Sequence, residues 1–342
     1  MPSKLQLLAL CALPIGQVAG QAQPAVGGRG FAQPAPPREV TITAITGVID
    51  AGAKWTKVWQ GDATADGIVG TRDGGLLFAQ EQTNKIVKLD PNNKASDYLT
   101  TPHGPGAITL GQKDRILVVE RTCTDPGGHM GIKPADCKEA TDVAVLTPER
   151  KVLASSVDGK GLGRVNDLVS GKKGHVYFTS GGLFHMSPDG KVTGVGEGLR
   201  TNGINLSPNQ KTLYVTNAAE VVAFDVQPDG SLRNQRMFGK LEGGGDGMTV
   251  DAAGRLYVTT GGTDPGVTVL APDGKTLGVI RTPRACISVA FSGPNRKTLY
   301  VAMMGETLPN GQEFRTPEGV RNVAMTVYTI PVLAQGLKGS PK

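Results

Sequence analysis

The chain is short of most of the features that identify common protein classes. Four cysteines in 342 residues are too few for a disulfide-built scaffold. No sustained 3.6-residue apolar period runs through the sequence beyond residue 40, which excludes a helical bundle or helical solenoid. No apolar run is long enough to cross a bilayer as a helix. The formal charge of +6 is scattered, with no basic run and no aromatic residues interleaved among the lysines and arginines. Nucleic acid is therefore not an expected partner. There is no Gly-x-Ser-x-Gly elbow and no evident Cys/His pairing, so nothing points to a covalent nucleophile.

Glycine, by contrast, is abundant: 48 residues, about twice the usual ~7 %. Pro-Asp-Gly recurs at 188–190, 228–230 and 272–274, supplying the positive φ of tight strand connections. Six times a small-residue turn, usually opened by Asp or Asn, precedes an apolar β-rich run. Anchored at 66, 106, 166, 202, 246 and 287, the copies are spaced by 40, 60, 36, 44 and 41 residues. A period near 40 with several strands per unit predicts an all-β, six-bladed β-propeller. The same position in every blade faces the central channel, so Asp66, Asn166, Asn202 and Asp246 are expected to converge there as a ring of oxygen donors. Any one Asp or Asn before Gly is ordinary turn chemistry. Their common offset from the following strand singles these four out. Two carboxylates and two carboxamides suit a hard divalent ion, calcium first, with magnesium or manganese as alternatives.

The first 22 residues read as a secretory signal: Lys4, an apolar stretch from Leu5 to Ile15, and Gly20-Gln21-Ala22 at the cleavage site. A periplasmic or secreted protein is expected. Residues 23–39 read as a disordered Pro/Ala/Gly-rich linker, 40–335 as one propeller domain and 336–342 as a tail. Val40–Ile45 and Val323–Ile330 both alternate like strands and are expected in the terminal blades, the later completing blade six and the earlier either pairing beside it or capping blade one. The long second interval holds an insertion bounded by Cys123 and Cys137. In an oxidising compartment these two are expected to form a disulfide, worth about 3 kcal/mol for a loop of ~15 residues. Cys286 is expected to be a buried free thiol. Glu81, Gln82 and Arg121 follow blade strands and read as structural pairing inside the blades. Glu120 and His103 are candidate substrate contacts, His103 because its turn approaches the channel mouth. His175 and His185 read as structural.

The motifs Arg164-Val-Asn-Asp167, Thr201-Asn-Gly-Ile-Asn-Leu-Ser-Pro208 and Asp246-Gly-Met-Thr-Val-Asp251, in that order, resemble the senescence-marker-protein/gluconolactonase/luciferin-regenerating-enzyme-like group of six-bladed propellers. The resemblance spans roughly residues 44 to 330. It implies one divalent metal ion in the channel, calcium foremost and Zn2+, Mn2+ or Mg2+ as alternatives. Asp66, Asn166, Asn202 and Asp246 would be its ligands, Asp246 also the general base, and Arg164 a substrate-binding residue. It implies hydrolysis of a small-molecule lactone or ester by metal-assisted water attack; separately, a monomer or homodimer is expected. Two departures stand out. The family's first-blade Glu-Gly-Pro is Asp66-Gly67-Ile68 here, one methylene shorter, so a metal must shift or a water intervene. In the last blade, the family's Thr-Asn or Thr-Ser is replaced by Ile287-Ser288-Val289. The rival readings are an esterase or phosphotriesterase using the same ring, and a non-enzymatic binding propeller with a structural calcium.

Overall fold

Why the apolar runs are continuous rather than alternating becomes plain once the blades are in place. The computed structural model describes residues 37–121, 139–314, 324–339 and 342. The expected signal, most of the linker, and both Cys123 and Cys137 lie outside them. Six antiparallel four-stranded sheets follow one another around a channel. Their innermost strands are Asp66–Gly70, Pro105–Leu110, Leu168–Ser170, Thr201–Leu206, Gly245–Val250 and Cys286–Ser292. Among the described residues, helix is confined to three single 3-10 turns.

The core is six wedges, one between each pair of neighbouring blades. In the strand Leu76–Gln80, Leu76 and Phe78 enter the wedge shared with blade six, while Leu77 and Ala79 enter the one shared with blade two. Successive side chains point to opposite faces of a strand. Both faces of an inner strand are covered here, so a period-2 element reads as an unbroken apolar run. The same alternation places Leu256 and Val258 against blade four and Tyr257 against blade six.

Blade six closes the ring with the order Thr56–Gln60, Ala324–Pro331, Thr298–Met304, Cys286–Ser292. Thr56 pairs with Thr329 and Trp59 with Val327. The expected late strand is present, but the early one is not where the alternation put it. Val40–Ile45 is not a strand. Ile42, Ile45, Val48 and Ile49 fold back, with Ile45 and Ile49 bridged, and bury themselves in the wedge between blades five and six. The apolar residues of that segment serve a plug, and strand Thr56–Gln60, with two of its five residues exposed, carries the closure.

The Asp-Gly and Asn-Gly pairs of the repeat are not turns either. They open the inner strands, and register shifts follow at Asp66/Val69, Thr201/Ile204 and Gly245/Met248. The glycines are there because neighbouring inner strands approach closely. A Cβ on Gly67 would lie 2.2 Å from the Ala107 Cα, and one on Gly203 would lie 2.1 Å from the Asp246 carbonyl oxygen. Bulges at strand starts re-aim side chains; here they accompany the anchors that meet in the channel.

Candidate active site at the channel mouth

Antiparallel pairing decides which residues share the mouth. Asp66 opens its inner strand and pairs with Ala79 near the end of the next one, so Glu81, just beyond, comes back to the same end. Pro105 likewise pairs with Glu120, which brings Arg121 alongside. Glu81 and Arg121 were expected to be pairing residues inside the blades. They lie instead among the anchors, and the direction of the second strand is the signal that could have placed them.

Arg121 ties the site together. Its side chain is 2 % exposed. Nε donates to Glu81 Oε2 at 2.7 Å, Nη2 to Asp66 Oδ2 at 2.7 Å, and Nη1 to Asn166 Oδ1 at 3.0 Å. Asn166 Nδ2 in turn donates to Asn202 Oδ1 at 2.6 Å. Arg164 reaches the other side of Glu81, donating through Nη1 to Oε1 at 3.1 Å and through Nη2 to Oε2 at 3.3 Å, and keeps a quarter of its side chain exposed. Asp246 completes the group. Burial in the channel wall raises its carboxyl pKa well above the ordinary range, and Asp66 and Asp167 push the same way against Arg121. For Arg121, burial works against the charge, but Glu81 and Asp66 outweigh it and the net shift is upward. Arg164 shifts down, through burial first and then repulsion from Arg121.

The four expected donors, Asp66, Asn166, Asn202 and Asp246, are thus brought into one array. A divalent ion does not fit it as arranged, because three of the four already spend an oxygen elsewhere. Asp66 and Asn166 give theirs to Arg121, and Asn202 gives its Oδ1 to Asn166. Among the described residues, no three His, Cys, Asp or Glu side chains gather as a separate metal cluster. Asp167 is committed elsewhere, accepting from the backbone N–H groups of Leu168 and Ile204 and pairing with the Lys342 ammonium.

Other sequence candidates lie apart from the array. Glu120 is buried and holds the His103 backbone N–H at 2.6 Å, while Arg150 Nη2 donates to its Oε2 at 2.6 Å. The half-exposed His103 ring stands 3.5 Å from Glu139. Asp142, beside this pair, has its pKa pushed up to about 7 by burial and by Glu120. His175 Nδ1 and His185 Nε2 are 2.9 Å apart in a buried pair, and Cys286 is a buried free thiol, its pKa pushed up to about 12 by burial. In the last blade, Ser288 Oγ accepts the Ile68 N–H at 3.3 Å and so joins blades six and one.

Comparison with known proteins places this architecture. A gluconolactonase of Zymomonas mobilis is 27 % identical over 272 residues, covering 70 % of this chain and 75 % of its own. A pentonolactonase of Haloferax volcanii is 31 % identical over 279 residues, covering 76 % and 88 %. The solved structure of a gluconolactonase from Xanthomonas campestris superposes with a TM-score of 0.66 at 18 % identity, over 88 % of this chain and 98 % of that one, a likeness of fold. The family model described as the SMP-30/gluconolactonase/LRE-like region matches residues 65–305. With its six blades, its three ordered motifs and a match across most of its length, the chain belongs to the SMP-30/gluconolactonase/LRE-like family.

Proposed function

We propose that this protein hydrolyses a small polar lactone at the channel mouth. The observation that carries the reading is the array itself. The Arg164 guanidinium, its side chain a quarter exposed, a pair of linked carboxamides and the Asp246 carboxylate meet at one end of the channel, with names of relatives pointing to lactones. Asp246 takes a proton from a water that attacks the lactone carbonyl carbon. Arg164 offers its planar set of N–H donors to the carbonyl oxygen as negative charge develops there, or to a hydroxyl or carboxylate of the substrate. The ring C–O bond then breaks, and the departing alkoxide receives the proton from Asp246. The product is one hydroxy acid whose new oxygen comes from the water, and its carboxyl proton passes to solvent to leave the carboxylate. No metal enters these steps, since Arg121 holds the Asp66 and Asn166 oxygens and Asn166 holds that of Asn202.

The test is turnover by purified protein across lactones, aryl esters and phosphotriesters. Polar or carboxylated five- and six-membered lactones should exceed the other two classes by at least roughly tenfold in kcat/KM, about 1.4 kcal/mol of transition-state preference. Asp246→Ala should abolish turnover. A simple phosphotriester turned over as fast as the lactones would place the protein in a different hydrolase class. An intact fold with no hydrolysis of any compound would leave a binding propeller.

A further inference from the structure

The space between Asp66, Glu81 and Asn166 is built for a guanidinium. Gly106, on the inner strand of blade two, has no side chain where one would strike Arg121: a Cβ there would lie 2.3 Å from both Cζ and Nε. Glu81, fully buried, binds Arg121 Nε from behind. Asp66 and Asn166 bind the two terminal nitrogens from different blades. Shortening the first-blade acid to Asp66 fits the same arrangement, since the carboxylate meets a nitrogen at 2.7 Å rather than reaching further towards the axis. The charges agree as well. Arg121 and Arg164 balance Glu81 and Asp66 inside the hydrogen-bonded array. Calcium needs six to eight oxygens at about 2.3–2.6 Å. It would have to take Asp66 and Asn166 away from a buried guanidinium and then sit against that positive charge.

We infer that Arg121 is the resident cation of this site, replacing the divalent ion that the family resemblance implies, and that the protein keeps its channel array without metal. Arg121 is a positioning residue: it fixes Asp66 and Asn166 and sets the charge that Asp246 and a substrate meet. The inference rests on the lactone-opening reading only for its activity arm, and the binding arms stand without it.

The experiment is calorimetric titration of the full chain with Ca2+, Mn2+ and Zn2+ separately, with metal content by mass spectrometry after dialysis against each ion. Wild type should retain well under one equivalent and show no binding tighter than about 1 mM. Arg121→Ala opens the ring and frees Asp66 and Asn166, so it should gain binding of at least one of the three ions by tenfold or more. Arg121→Lys keeps a cation there and should stay metal-free. Should Arg121→Ala fail to fold, the paired Arg121→Gln, Glu81→Gln variant removes both buried charges together and serves in its place, with the same gain expected. In the activity arm, wild-type lactone turnover should change less than twofold on adding EDTA. One equivalent of any of these ions bound by wild type, or no gain in the ring-opened variant, overturns the inference. Turnover lost to EDTA and restored by one of the ions overturns it too. If no lactone is turned over at all, the functional reading fails while the titrations still decide this one.

Discussion

At the scale of single residues, Glu81 offers a direct test because its carboxylate is shut off from water. It lies between two guanidinia with its side chain fully buried. Removing one partner of a buried charged pair strands the other, a cost of about 3–5 kcal/mol. Glu81→Ala should therefore lose about that much in urea unfolding, whereas substitutions at the exposed pair Lys275–Asp273 should change little. Asp142 gives a pH signature. Its folded-state pKa, about 7, lies above the ordinary carboxylate value because of burial and Glu120, and its Oδ1 has no hydrogen-bond partner among the described residues. The folded state thus holds more protons than the unfolded one between about pH 4 and 7, and stability falls as pH rises through that window. Asp142→Asn removes the effect. Melting temperatures compared at pH 5 and pH 8 should show wild type losing ground to the variant as pH rises. Equal slopes for the two proteins would refute this account.

Among elements, the strand Thr56–Gln60 has the largest structural task for its size. It is the outer strand of blade six, and Trp59 from it packs on Phe78 of blade one with ring centroids 4.8 Å apart. A chain beginning after Gln60 would leave Ala324–Pro331 as an unpaired edge. Such a protein should elute as soluble oligomers or precipitate in size-exclusion chromatography, and monodisperse monomer at wild-type stability would contradict the closure. What could be read from sequence divides here. The anchors were legible because they recur at a common offset before an apolar strand, with a period near 40, and so was the strand at 324–331. Val40–Ile45 was misread because its alternation is shared by strands and by a chain that folds over an apolar wedge. Thr56–Gln60 went unseen because an outer strand, wet on one side, has little apolar pattern. The anchors' convergence was visible, but their cation was not. Arg121 and Glu81 enter the channel only through the antiparallel return of the second strands, which spacing along the chain does not encode.

For the whole molecule, the six wedges mean that no blade can leave without opening two interfaces. The sequence has only two tryptophans, and both report on closure. Trp59 lies in the wedge between blades six and one, and Trp55 packs against the wedge between five and six, its indole N–H on the Arg281 carbonyl at 2.8 Å. Urea unfolding followed by tryptophan fluorescence and by far-ultraviolet circular dichroism should give coincident transitions. Fluorescence changing first would show blade six opening ahead of the rest.

The pairing of Thr56 with Thr329 also imposes a timetable on synthesis. The two are 273 residues apart, and at about 5–20 residues per second the ribosome needs roughly 15–55 seconds to make the intervening chain. Blades one to five can assemble in that interval, but the early strand has no sheet to join until the late one emerges. It waits as an unpartnered edge, and its Thr56, Lys57 and Gln60 are the polar residues that discourage association with another nascent chain in the meantime.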